Sequence, residues 1–231
     1  MRPLVLGILL VFGVGIAFLA NLALGAPKIP FLEVLQILTG GVSEEPMHSL
    51  IVSHRLNRTL LALFAGGALS TAGLILQVYF RNPLAGPGVL GVTSGASLGV
   101  AFITLGGISI GSIQGNILIV LAGIAGAMAV IGLLLFLSKF IRSNIALLLV
   151  GLMFSYFTSA FVNTLFLWAN EMSTRKYVMW GLGSFEGVPM SQIAIIIVVV
   201  LALVLLLMGF SKSLNGMVLG EEYAKSLGIS V

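Results

Sequence analysis

An all-α bundle of membrane-spanning helices is the fold class this sequence predicts, on three observations. Of its 231 residues 59% are hydrophobic and only 8% charged, whereas a soluble domain covers its surface with roughly 25% charged residues. Its apolar intervals run free of charge for lengths that cross a bilayer, which takes a helix of about 20 residues. Even the most β-branched of them, "IAIIIVVVLALVLLLMGF" before Ser211, is too long for a strand. Within lipid, a helix pairs every backbone group inside its own segment.

A charge at the centre of the hydrocarbon layer costs about 2.5–3.5 kcal/mol, so the charge-free intervals locate the spans. These run from Pro3 to Pro27, Thr59 to Phe80, Asn82 to Ser138, Ser143 to Asn170 and Gly187 to Ser211. The first could be a signal peptide, with Arg2 before it and "LALGAP" at its end. Its apolar stretch exceeds the roughly 7–15 residues of a signal h-region, so an uncleaved helix is expected. The third interval suits two helices, divided at the glycine-rich "GGISIGSIQGN" (Gly106 to Asn116). Six spans result, at about 4–25, 59–79, 88–106, 116–137, 145–168 and 191–210, which puts both termini on one side.

Charge does not orient them. The side with the termini would hold Arg2, Arg81, Lys139, Arg142, Lys212 and Lys225, and the other Lys28, Arg55, Arg58, Arg175 and Lys176. Six against five is almost no positive-inside signal. A net charge of +4, small and spread along the chain, does not suggest nucleic acid.

Several chemistries are excluded. There is no cysteine, hence no disulfide, thiolate metal site or cysteine nucleophile. "GPGVLG" (Gly86 to Gly91) spells a dinucleotide fingerprint, but it follows a membrane-length segment and the next acid is Glu171. A nucleotide site needs a preceding strand and an acid about 20 residues on. No G-x-x-x-x-G-K-[ST] occurs, so the chain has no phosphate loop of its own. The spans carry no ionisable side chain, and both histidines, His48 and His54, lie in or beside the first loop. No catalytic residue, metal site or cofactor is expected.

Spacing marks two small-residue faces. Gly91, Gly95 and Gly99 fall at i, i+4 and i+8 in the third span, where small residues let helix backbones approach closely. Gly151, Ser155, Ser159 and Asn163 repeat the step along the fifth span. Such a small, weakly polar stripe could line a solute pathway or pack on a neighbouring helix.

"HRLNRTLLALFAGGALSTAGLILQVYFRNPLAGPGVLGVTSGASLG" (His54 to Gly99) closely resembles the FecCD family, the iron-siderophore, haem and cobalamin permeases of bacterial ABC importers. The family's R-x-x-R, its helix-ending Q, its R-N-P-L-A and its L-G-V-x-x-G-A match Arg55, Arg58, Gln77, Arg81 to Ala85, Leu90 to Val92, Gly95 and Ala96. "WGLGSF" (Trp180 to Phe185) and "LGEEYAKSLGISV" (Leu219 to Val231) resemble its later W-x-x-G-S and L-G-E-E-x-A-x-x-L-G elements.

The resemblance implies a bacterial inner-membrane permease with both termini cytoplasmic. Its cargo would be an iron-siderophore, with haem or cobalamin behind it. The implied partners are an ATP-binding ABC subunit, a periplasmic or lipoprotein substrate-binding protein, a second permease subunit (homodimer or paired heterodimer) and membrane lipid. Arg55 and Arg58 match the arginines that receive glutamates of the binding protein. Gly220, Glu221, Glu222, Ala224, Leu227 and Gly228 match the segment seated in the ATPase. Family members carry about ten helices and this chain stops after the sixth, so the resemblance implies their N-terminal two-thirds. Against it stand an ATP-independent secondary transporter, which wants an intramembrane charge or a broken helix at mid-depth, and a non-transporting membrane scaffold.

Overall fold

A computed structural model of the chain describes residues 3–41, 45–107, 112–141, 143–219, 226 and 228. Among them every regular element is a helix: α1 (Pro3–Ala23), α2 (Phe31–Leu38), α3 (Pro46–Phe80), α4 (Val92–Thr104), α5 (Ser112–Ser138), α6 (Asn144–Phe166), α7 (Glu171–Leu182), α8 (Met190–Gly209) and α9 (Ser211–Leu219). Five of these, α1, α3, α5, α6 and α8, are long and apolar enough to cross a membrane. Their outer faces leave Leu10, Phe12, Met128, Met153, Val198 and Leu205 exposed, as suits helices solvated by lipid.

The expected third span is shorter than its charge-free interval. α4 has 13 residues, about 20 Å at 1.5 Å per residue, against a hydrocarbon layer of about 30 Å. Its start is delayed to Val92 because Gly91, at the N-cap, takes a left-handed conformation (φ 75°). Leu105 to Gly107 form a turn after its last residue, with Gly107 also at positive φ. α3 departs in the opposite sense, beginning at Pro46 rather than near residue 59. Proline suits a first helical position, whose N–H has no partner anyway. Charges at Arg55 and Arg58 bar that turn from the hydrocarbon without interrupting the helix.

The chain divides into two compact units, residues 1–68 with 185–205, and 69–184 with 206–231. In the first, Leu22, Ile29, Val34 and Val52 form a buried cluster on which Phe18, Ile37, Ile51 and Leu56 pack. This cluster joins the end of α1, the following loop, α2 and the start of α3. His48 Nδ1 lies 2.9 Å from Glu33 Oε1, tying α3 to α2. Thr39 closes α2, its hydroxyl 3.1 Å from Leu35 O and 3.0 Å from Gln36 O.

The second unit is built on α4. Gly95 and Gly99 face Gly126 and Ala122 of α5 so closely that a Cβ at Gly95 would meet Gly126 O at 2.5 Å. A Cβ at Gly99 would meet Ala122 O at 2.1 Å. α6 crosses at Gly151, which rests on the Leu90 backbone.

The turn from α3 to α4 is held by its own side chains. Gln77 Nε2 donates to Pro83 O (3.0 Å), and Asn82 Oδ1 accepts from Leu84 N (2.9 Å). Ala85 and Leu90 bury themselves with Leu148. The helix ends here because Arg81 adopts φ 47° and Pro83 and Pro87 cannot donate to a continuing ladder. Asn170 caps α7 by accepting from Ser173 N at 2.8 Å, with Glu171 in the first turn, where a helix favours negative charge.

Candidate functional site

The two arginines on α3 do different things. Arg55 is buried, 6% exposed, and its guanidinium turns inward to the end of α1. There Nη1 donates to Leu22 O (3.0 Å) and Ala23 O (3.4 Å), and Nη2 to Pro27 O (2.7 Å). It passes beneath Gly25, where a Cβ would lie 2.8 Å from Nη2. The last carbonyls of a helix lack intrahelical partners, and a cation suits the negative end of its dipole. Arg55 thus caps α1 and binds the following loop. Thr59, one turn on, donates to Arg55 O (2.7 Å) with Asn21 Oδ1 2.9 Å away.

Arg58 points elsewhere. Its side chain is 42% exposed and lies 3.6 Å from Glu186 Oε1. Arg58 and Glu186 border a cavity of about 540 Å³ in the first unit, with Ile51, His54, Asn57 and Phe185 among its walls. The two arginines stand at an i, i+3 spacing on α3. It subtends about 60° around the axis at 3.6 residues per turn, enough here to turn one inward and leave the other at the rim. Val52, Arg55 and Thr59 are the buried face.

The fifth-span stripe also splits. Gly151 is buried in the helix crossing, and its carbonyl accepts from the Ser155 hydroxyl (3.1 Å). Ser155, Ser159 and Asn163 instead line a cavity of about 570 Å³ in the second unit, with Thr93, Ser97 and Thr158 opposite or beside them. α7 closes it with Tyr177 and Trp180, rings 6.3 Å apart. Ser97 Oγ and Tyr177 Oη are 2.5 Å apart. The Thr158 hydroxyl is buried without a hydrogen-bond partner among the described residues. Such a lining of hydroxyls, amide and aromatic faces offers hydrogen bonds without charge. Sequence spacing missed Thr158 and Tyr177, the first because it stands off the four-residue stripe and the second because α7 is too polar to read as a span.

Of the small face, Gly95 and Gly99 lie within α4 against α5, while Gly91 sits at its N-cap with Gly151 O where a Cβ would come within 2.7 Å. Gly220, Glu221, Glu222, Ala224 and Leu227 lie outside the described residues. Gly228 has φ 76°.

Comparison with known proteins places this architecture among transport permeases. The chain is 32% identical over 219 residues to the vitamin B12 import system permease protein BtuC of Vibrio parahaemolyticus, covering 91% of this chain and 65% of that one. It is 31% identical over 224 residues to the hemin transport system permease protein HmuU of Yersinia pestis, covering 96% and 67%. It therefore spans about two-thirds of the length of these relatives. A solved structure of a transporter assigned to the metal-chelate ABC type, in an inward-facing conformation, superimposes with a TM-score of 0.77 at 27% identity. That match covers all of this chain and 69% of the other. A model of the FecCD transport family matches residues 10–231, and with helices, turn and motifs in that order the chain belongs to the FecCD transport family.

Proposed function

We propose that this chain is permease machinery of a bacterial ABC importer that carries a metal chelate, an iron-siderophore in the first instance, into the cytoplasm. The observation that carries the reading is likeness to vitamin B12 and hemin import permeases over more than nine-tenths of the chain. Haem and cobalamin are the alternative cargoes. A separate ATP-binding subunit supplies the energy, and a second permease subunit completes the pathway. The chain sits in the inner membrane with both termini in the cytoplasm.

The docking role divides between the two arginines. Arg58, at the rim of its cavity, meets a carboxylate of the soluble substrate-binding protein, since arginine pairs carboxylates in two parallel hydrogen bonds. Arg55 holds the loop that shapes the rim. Ser155, Thr158, Ser159 and Asn163 offer neutral hydrogen bonds along the cargo's route, and Gly151, Gly91, Gly95 and Gly99 keep the helices around it close. Gly220, Glu221, Glu222, Ala224, Leu227 and Gly228 engage the ATPase, where a short segment can transmit rigid-body motion.

The test is uptake into proteoliposomes carrying this chain, with the ATPase and binding protein of its own gene neighbourhood. ATP-dependent accumulation of a ferric siderophore is expected, with cyanocobalamin and haemin run in parallel. Accumulation indifferent to ATP, or none of any chelate, refutes the reading.

A further inference from the structure

We propose that His48 is a proton-operated latch: its imidazolium bridges Glu33 and Glu45 and clamps α2 to the start of α3, and loss of the proton loosens the clamp. The latch is independent of what the protein transports.

Two carboxylates meet one ring. His48 Nδ1 lies 2.9 Å from Glu33 Oε1, and Nε2 lies 3.4 Å from Glu45 Oε2. An ionised carboxylate only accepts hydrogen bonds, whereas a neutral imidazole donates from one nitrogen and accepts at the other. A neutral ring would therefore set a lone pair against one of the two carboxylates. Only the imidazolium donates to both. The shorter contact is also the enclosed one: the side chains of His48 and Glu33 are 17% and 20% exposed, that of Glu45 69%. All three groups belong to the first unit, and their contact does not depend on any outer helix face staying bare.

Among the described residues no other charge of that unit is paired with the ring. Arg55 is held at the end of α1, Arg58 faces Glu186, His54 lines the cavity beside them and Lys28 is exposed in the loop after α1. The opposing field is that of α3 itself, whose third residue is His48, because a helix N-terminus disfavours a cation. The bridging proton therefore depends on the two carboxylates. α2 in turn depends on the bridge. Its eight residues are too few to hold a helix alone in water, so it rests on the apolar cluster around Val34 and on His48. Ile51, three residues beyond His48, packs on that cluster and also lines the cavity bordered by Arg58, which leaves the latch one side chain from that wall. Histidine changes charge between pH 5 and 8. The clamp is present while the ring is protonated and is lost as pH rises through that range.

The chain has no cysteine, so a nitroxide spin label on Leu32→Cys, an exposed position of α2, reports the motion of that helix alone. Electron paramagnetic resonance of the purified chain in detergent reads it. The ratio of mobile to immobilised label should rise about tenfold from pH 5 to pH 8, the difference between a charge-assisted and a neutral hydrogen bond. With His48→Gln the ratio should be the same at both pH values, and with His54→Gln the rise should persist. Glu45→Gln, at an exposed position where folding is least at risk, should reduce the rise by about twofold, the effect of one exposed ion pair. A parental ratio that stays constant or falls with pH overturns the proposal, as does a rise that survives in His48→Gln. A rise that disappears in His54→Gln, or is unaltered in Glu45→Gln, overturns it equally.

Discussion

Gly99→Ala adds one methyl group, and the structure makes it costly. The new Cβ would sit 2.1 Å from Ala122 O and 2.9 Å from Ala122 C. Both are backbone atoms of α5, so no rotamer change relieves the clash. Reaching an ordinary 3.4 Å contact from 2.1 Å requires the two helices to part by about 1.3 Å. Overpacking of this kind costs about 1–3 kcal/mol, against which alanine gains up to about 1 kcal/mol over glycine in helix propensity. A 2.1 Å approach to backbone belongs at the severe end of that range, so the net expectation is destabilisation by about 2 kcal/mol. Gly132→Ala, on the same helix as Ala122 but with nothing within 4 Å of its Cβ, has only the propensity term and should be neutral or stabilising by up to about 1 kcal/mol. Reversible unfolding by sodium dodecyl sulfate in mixed micelles, followed by tryptophan fluorescence, measures both. Trp168 and Trp180 are the two tryptophans. Opposite signs for the two variants are expected. Gly99→Ala as stable as the parent, or both variants moving the same way, would refute a close backbone crossing between α4 and α5.

Arg55→Met should lower stability by about 3 kcal/mol, through lost charge-assisted bonds to three carbonyls, while Arg58→Met changes it by less than about 1 kcal/mol; equal melting shifts would contradict the two arginines' separate roles. Arg58→Glu should in turn abolish capture of the substrate-binding protein by the detergent-solubilised chain, and capture at parental affinity rules the docking role out. Glu186→Gln should strengthen that capture by up to about fivefold, the worth of one exposed ion pair, because Glu186 occupies Arg58; weaker or unchanged capture counts against that competition. Thr158→Val should leave the melting temperature intact yet slow uptake in proteoliposomes, and unaltered uptake removes Thr158 from the cargo's route.

What was legible in the sequence follows from what is intrinsic to a segment. The long apolar runs of α1, α5, α6 and α8 announce themselves because lipid solvation acts on each helix alone. Absence of charge, however, locates hydrocarbon and not helix. α3 therefore reaches back to Pro46 through Arg55 and Arg58, while α4 stops short at Gly91 inside an interval without charge. α2 and α7 escaped notice because neither is long enough to cross. Their helicity leans on the Thr39 and Asn170 caps and on contacts such as Tyr177 with Ser97. In the candidate site, the stripe Ser155, Ser159, Asn163 was visible as a spacing. The inward turn of Arg55 was not, because it depends on where the end of α1 comes to lie, a fact held by no single helix.

The shortness of α4 bears on how the protein is made. With 13 residues, it lacks the length to cross a hydrocarbon layer of about 30 Å alone. Its small face is complete only against Gly126 and Ala122 of α5, which ribosomes deliver later. The expected order of insertion is therefore α4 together with α5, as a hairpin in which the longer helix carries the shorter.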